Sequence, residues 1–428
     1  MTGHFDQAHV LSAELSFGLE IQFLAPPPRN ITDVIRRFPQ LACIMERDFT
    51  YHCLASALAG AGLPAAYIFE TTKDECRGHP LRTSAPPGSI VRTRVSNDMR
   101  VMSPAPAAPA APRAVVRRSL SMSSAWASLS SAHSSRVTAQ GRNPLFRYWL
   151  LKTEANIYGT GPFAAWHPME LNSPILGEYE AAGGFRASQR ALAALLLACP
   201  EGLRVDRACA LHVHVSPSRW ELMARHAMRI ATLVFLFEEP LLFHLIRPHR
   251  GRAHASLRAG AAMARPPAQR PDEPRIRWAP GDLPACLFSE ACVHLWTSRG
   301  LGDVAEMLAR PANRSGARAT ALGIGAQTHP NGRETHTVEF RHAEASLDAA
   351  FLSQWLALVT TIRKVAWLDV ERYKSALECV CAVVLPGPAP EDAWRPLLRI
   401  LNRAAPRHWR RVCDETFWDY HLARQNRR

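Results

Sequence analysis

Lysine is nearly missing from this chain of 428 residues: Lys73, Lys152, Lys364 and Lys374 are the only ones. The net charge of +14 is therefore carried almost wholly by arginine. A basic balance raises the question of nucleic acid. The arginines are spread along the chain, no nucleic-acid module is recognisable, and high Ala, Arg and Pro with little Lys is what a GC-rich coding sequence produces. No nucleic-acid partner is expected, although an arginine-rich surface favours anionic ligands such as nucleotides. Long apolar runs are missing too; none approaches the roughly 20 residues that cross a bilayer. The start, Met1 to Asp6, has neither the basic nor the apolar region of a secretory signal. These two absences predict a soluble cytoplasmic protein with no membrane partner. Among ten cysteines there is no CxxC pair and no zinc spacing. Cys379 and Cys381 lie close, and buried free thiols are the default for the rest.

What is present is enough apolar sequence, 47% of residues against 21% charged, to bury a sizeable core. Residues 14–25 read as a strand ended by Pro26, Pro27 and Pro28. Residues 30–37 and 51–61 read as helices, and Tyr67–Phe69 as a short strand. From about 71 to 142 the composition shifts to Pro-Ala repeats (103–112) and a Ser-rich run (119–135), too poor in apolar surface to offset ordering entropy. Strands follow at 147–154 and 169–176, an amphipathic helix at 185–199, a strand at 211–215, and a long helix at 218–246 bent near Pro240. Residues 253–280 read as a loop, and 284–297 and 301–309 as helices. Ser346-Leu347-Asp348 opens a helix through about Trp367, and 391–424 has helical periodicity. The implied organisation is an N-terminal part of a catalytic domain (1–70), a disordered Pro/Ala/Ser-rich insertion (71–142), the main part of that domain (143–375) and a C-terminal helical region (376–428).

Three strands carry the chemistry. Side chains alternate between the faces of a strand. Glu20 and Gln22 therefore share one face within Phe17–Phe23, His212 and His214 share one within Leu211–Val215, and Glu339 and Arg341 share one within Thr337–Arg341. Leu19, Ile21, Val213, Val215, Val338 and Phe340 point the other way, into a core. If the strands pair, one face of the sheet is apolar and the other carries Glu, His and Arg.

Each motif also has an ordinary explanation. Glu20 and Gln22 can be the wet face of an amphipathic strand; a buried acid instead needs a charged partner, and a divalent cation is a natural one. Two histidines on one face can be satisfied core or surface residues, or can ligate metal or donate to phosphate. Glu339 and Arg341 can be a plain ion pair, or a metal ligand beside a guanidinium suited to oxyanions. Glu170 lies in a strand closed by Asn172-Ser173-Pro174, whose turn chemistry suits a site rim. Lys152 and Glu154 share a face and are weaker signals still.

Together, Phe17–Phe23, Trp149–Ile157, Glu170–Pro174, Leu211–Ser216 and Thr337–Arg341, with the helix after Asp348 and Trp355 in it, resemble the motifs of the fungal amidoligase family. That family belongs to the carboxylate–amine ligase group related to glutamate–cysteine ligase and glutamine synthetase. The resemblance covers roughly 14–25, 50–70 and 145–370; its specificity lies in the order and spacing of short motifs. It implies an α+β, glutamine-synthetase-like fold: an antiparallel sheet forming a half-barrel or funnel, with helices packed on its outer face. It implies ATP-dependent amide formation through an acyl phosphate, with ATP and Mg2+ as cofactors and small-molecule or peptide carboxylates and amines as substrates. By the resemblance, Glu20, His212 and Glu339 hold the phosphate-side metal, with Gln22 beside them where the family usually has a second acid. His214 sits near the phosphates, Arg341 meets the γ-phosphate or acyl phosphate, and Glu170 holds a second metal or positions the amine. Glu154 stands where the family often has Asp. Two other classes remain open: a catalytically impaired relative that binds a nucleotide or peptide as a scaffold, favoured by Gln22, and a zinc metallohydrolase built on His212, His214 and Glu20.

Overall fold

The computed structural model describes residues 15–28, 46–70, 90–92, 97–102, 144–154, 156–218, 221–246, 256–264, 281–284, 287, 289–310, 320–328, 334–406, 409 and 413–427. Ten strands form one open sheet: β1 (Leu15–Ala25), β2 (Ala65–Glu70), β3 (Ile90–Arg92), β4 (Asn97–Met102), β5 (Trp149–Thr153), β6 (His167–Asn172), β7 (Leu176–Gly177), β8 (Ala210–Pro217), β9 (Leu322–Thr328) and β10 (Glu334–Glu344). Their order is β3-β4-β2-β5-β6-β1-β8-β10-β9, with β7 paired to the start of β1. Every pairing is antiparallel except β2 with β5. The sheet is thus mixed and mostly antiparallel, as the alternating strand patterns imply.

One face of the sheet is apolar, and helices cover it. Leu15, Phe17, Leu19, Ile21 and Phe23 of β1, Leu211, Val213 and Val215 of β8, and Val338 and Phe340 of β10 are all essentially inaccessible to solvent. Onto them pack α1 (Glu46–Gly60), α3 (Arg186–Ala198), α4 (Ala224–Phe237) and α8 (Ala349–Ala366), joined in one continuous hydrophobic cluster. The short helices α2 (Glu178–Ala182), α5 (Leu257–Gly260), α6 (Glu290–Leu295) and α7 (Leu301–Leu308) lie between these. An outer group, α9 (Val370–Val384), α10 (Pro390–Ala404) and α11 (Glu415–Gln425), packs beyond α4 and α8. Asp348 caps α8 by accepting from the Ala350 and Phe351 amides, as the Ser346-Leu347-Asp348 signal predicts. The helix expected at 218–246 begins at Ala224 and passes at Glu238–Phe243 into a π-helical segment around Pro240. Proline removes one amide from the i→i−4 ladder, and the wider turn absorbs the change.

One expectation is corrected here. The stretch 71–142, read as a disordered insertion from its composition, contains β3 and β4, which extend the sheet beyond β2. The Ser-rich run and the helix expected at 30–37 lie outside the described residues. Among the described residues no helix is long and apolar enough to cross a membrane.

Candidate functional site

The strand register sets Glu20 opposite His212 on β8 and Asn172 on β6, Gln22 opposite Glu170, Glu339 opposite His214, and Lys152 opposite Glu170. Directly opposed residues in an antiparallel pair share a face. Glu20, Gln22, Glu170, His212, His214 and Glu339 therefore all stand on the face away from the helices, with Arg341 two residues beyond Glu339.

At the β8–β10 end the side chains interlock. His212 Nδ1 lies 3.1 Å from Glu20 Oε2 and 3.3 Å from Glu339 Oε1. His214 Nε2 lies 3.3 Å from Glu20 Oε1 and 3.9 Å from Glu339 Oε1. Arg341 grips Glu339 through both Nε, at 2.7 Å, and Nη2. Thr337 holds the other nitrogen of His214 at 3.0 Å, which fixes the ring's orientation. Burial opposes the charge on Glu20, yet the hydrogen bonds from His212 and His214 outweigh it and hold that carboxyl well below the usual range. For His214, burial works against protonation, but Glu20 and then Glu339 outweigh it and raise its pKa.

The glycines of β9 make room for this cluster. A Cβ at Gly325 would stand 3.1 Å from the Thr337 hydroxyl and 3.6 Å from His214 Nδ1; one at Gly323 would stand 3.5 Å from Arg341 Nη1. A β-bulge between Phe340 and Ala343 then turns His342 into the core, where it meets Glu238 at 3.0 Å with both side chains fully buried.

The β1–β6–β5 end has a different chemistry. Lys152 Nζ lies 2.9 Å from Glu170 Oε1. Gln22 donates its amide nitrogen to Glu170 Oε2 at 3.5 Å, and its oxygen accepts the Ala210 amide at 2.8 Å. From sequence, Gln22 is a metal candidate; in the structure its one ligand-type atom completes the backbone hydrogen bonding where the β1–β8 ladder ends. Burial, then the charge of Glu20 and a hydrogen bond with Glu154, push Glu170 up to about 8, against the pull of Lys152. Lys152 is raised in turn, its burial outweighed by Glu170. The two directions pull apart, because a lysine raised by Glu170 needs that carboxylate ionised. The 2.9 Å contact favours the ionised pair, with Glu20 and Glu154 biasing against it. Burial would also raise Glu154, but Glu170 and Asn156 outweigh it and lower its pKa.

One group of donors among the described residues is placed to hold a metal ion: Glu20, His214 and Glu339, with ligand atoms within 4.8 Å of one another. Two carboxylate oxygens and an imidazole nitrogen suit a divalent cation. The resemblance assigns the metal to His212 and the phosphates to His214; the geometry gives both imidazoles the same two carboxylates. Sequence reasoning gave Thr337 no role of its own and missed the β9 glycines. The period-2 spacing of Thr337 from Glu339 and of Gly323 from Gly325 was the available signal.

Two comparisons with known proteins bear on this site. No curated protein matches the chain. Residues 117–259, a stretch that contains Lys152, Glu154, Glu170, His212 and His214 and is completed in space by Glu20, Glu339 and Arg341, match the model of the family described as "Putative amidoligase enzyme", a description consistent with a ligase.

Proposed function

We propose that the protein is an ATP-dependent carboxylate–amine ligase of glutamine-synthetase-like architecture, working through an acyl phosphate. The observation that carries this reading is the convergence of Glu20, His212, His214, Glu339 and Arg341 on one sheet face, from three strands separated by more than a hundred residues at each step. The donor set of Glu20, His214 and Glu339, with His212 against the same carboxylates, fits a magnesium ion. When bound, that ion would spread the negative charge of the nucleotide phosphates.

The two ends of the face divide the remaining work. Arg341 presents a planar fork at the β10 end, where it can exchange Glu339 for a phosphoryl or acyl-phosphate oxygen. His214, turned by Thr337, presents Nε2 to the metal position, and His212 lies against the same two carboxylates beside it. At the opposite end Glu154, beside the Lys152–Glu170 ion pair, attracts an amine and holds it near Glu20, so that the carboxylate and the nucleophile approach from opposite sides. Small-molecule or peptide carboxylates and amines are the substrate class.

The test is ADP release with Mg2+ and ATP across amino acids, polyamines and small peptides. Turnover that depends on a carboxylate and an amine together, and that Arg341→Ala lowers at least about 100-fold, is the expected result. ATP binding without turnover for any pair would instead favour the impaired, scaffold-type reading, which the committed amide of Gln22 supports. Stoichiometric zinc with nucleotide-independent hydrolysis would replace both readings.

A further inference from the structure

We infer that Lys152 is a built-in second cation of the site: its ammonium takes the place beside Glu170 where a second divalent ion would otherwise bind, so the protein carries one exchangeable metal position, at Glu20, His214 and Glu339. The use of any metal rests on the ligase reading above.

The argument starts from residue type. Four of the chain's 51 basic residues are lysines, and one of them stands on the site face. An ammonium is a compact point charge, whereas a guanidinium is a broad plane; of the two, the ammonium resembles a metal ion. Its placement follows from register, since β5 and β6 set Lys152 directly opposite Glu170. The Glu170 side chain is 3% exposed and that of Lys152 36%. A lysine with that much access to water usually keeps its head group hydrated. This one turns it onto a buried carboxylate at 2.9 Å, and the charges of Glu20 and Glu154 act on it as well.

The surroundings of Glu170 exclude a metal as built. Glu170 Oε1 has the Lys152 ammonium at ion-pair distance, 2.9 Å, and Oε2 accepts from Gln22 Nε2 at 3.5 Å. The oxygen of Gln22 is taken by the Ala210 amide, so the neighbour that could ligate a cation presents its positive end instead. No second group of three metal-type donors occurs among the described residues. Removing the lysine changes that balance. Glu170 would then lose its counter-charge beside the charges of Glu20 and Glu154. These three do not place donors within 4.8 Å of one another, so a divalent ion replacing the ammonium would bind through Glu170 with water completing its shell.

Manganese, counted by electron paramagnetic resonance on the full chain, tests this. Wild type is expected to bind one Mn2+ per chain, Glu339→Gln to weaken that ion at least about tenfold, and Lys152→Arg to leave it at one. Lys152→Ala is expected to bind a second Mn2+, with a melting temperature that rises more steeply with Mn2+ than that of wild type. Should Lys152→Ala fail to fold, Lys152→Met keeps the apolar stem, removes both the charge and the donor, and is expected to show the same second ion. Two ions in wild type, or one ion in every Lys152 variant, would overturn the inference while leaving the ligase reading standing. No ion in wild type would overturn both.

Discussion

Two charge clusters built around buried carboxylates differ in how completely their charges are matched. In the helical layer, Asp282 receives Arg225 Nε and Nη2 at 2.6 Å each and Arg229 Nε at 2.7 Å. Arg229 also donates to the Ala366 and Leu368 carbonyls, at 3.2 and 2.6 Å, and lies over the Tyr373 ring. The donors outnumber the acids, and all three Arg–carboxylate bonds are short. On the sheet face, four carboxylates (Glu20, Glu154, Glu170 and Glu339) face one lysine, one arginine and two imidazoles. There the carboxyl pKa values are driven apart, Glu20 far down and Glu170 up to about 8. The matched cluster holds helices together. The mismatched one holds charge in reserve for something that binds.

The comparison is broken most directly at its matched end. Arg229 is almost fully buried, and Arg229→Ala leaves part of Asp282 and two backbone carbonyls without donors. We expect a loss of about 3–5 kcal/mol in urea unfolding, with manganese affinity of the folded fraction unchanged. A loss below about 1 kcal/mol would mean that this cluster is as loosely satisfied as the other.

The mismatched end should respond to pH with the opposite sign from an ordinary carboxylate. Burial, Glu20 and Glu154 push Glu170 up to about 8 in the fold from an ordinary value of 4.5, against the pull of Lys152. As pH rises from 4.5 toward 8 the unfolded chain gives up this proton first, so the stability it contributes is full below 4.5 and is lost on the way to 8. In a chelating buffer, Glu170→Gln should remove that decline and gain about 1–3 kcal/mol over wild type at pH 9. Parallel stability curves for the two proteins between pH 5 and 9 would show that Lys152 already neutralises Glu170 in full.

Acid should act on the helical layer instead. His226 stacks on Trp367 with ring centroids 4.2 Å apart. Burial first, then Arg229, Arg363 and Arg225, push its pKa down to about 3. A histidine held neutral in the fold is protonated first in the unfolded chain, so its contribution is full above about 6.5 and is lost as pH falls toward 3. His226→Phe keeps the stacking and removes the titration. It should resist acid better by about 1–2 kcal/mol at pH 4, and thermal melts from pH 7 to 4 would read the difference. Identical acid limbs would place the sensitive group elsewhere.

How far this design was legible in the sequence follows from what each feature depends on. Glu20, His212, His214, Glu339 and Arg341 interrupt apolar strands at period two, and alternation is local, so their common face could be read before any pairing was known. The division of the face into two ends could not. It depends on where the β1–β8 ladder stops, which frees the Ala210 amide for Gln22, and on β5 lying beside β6, which brings Lys152 to Glu170. β3 and β4 were hidden because the Pro/Ala/Ser composition beginning at 103 colours the whole stretch around them. Gly323 and Gly325 carry no side chain to signal a role, and in β9 they are clearance for Arg341 and His214. His342 escaped because the bulge shifts strand parity, and its partner Glu238 sits in a helix about a hundred residues away.

The smallest effect is expected at Gln22, and it discriminates between the two ends most finely. Gln22→Glu can still accept the Ala210 amide, because either carboxylate oxygen reaches where the amide oxygen stood. What is lost is a 3.5 Å donation to Glu170, and what is gained is a negative charge beside a carboxyl already pushed up to about 8. Without a cation, the repulsion should cost about 1 kcal/mol, about 1 °C in melting temperature for a chain of this size. With magnesium the added charge strengthens any cation bound nearby, so the variant should recover more than wild type gains. If Lys152 serves as the resident cation, the same added charge should also bind it more tightly, and Lys152→Ala should then cost Gln22→Glu more than it costs wild type. Melts of wild type, the two single variants and the double variant across a magnesium titration separate these contributions. A magnesium response equal in Gln22→Glu and wild type, together with additive single changes, would show that position 22 faces neither the metal nor the lysine.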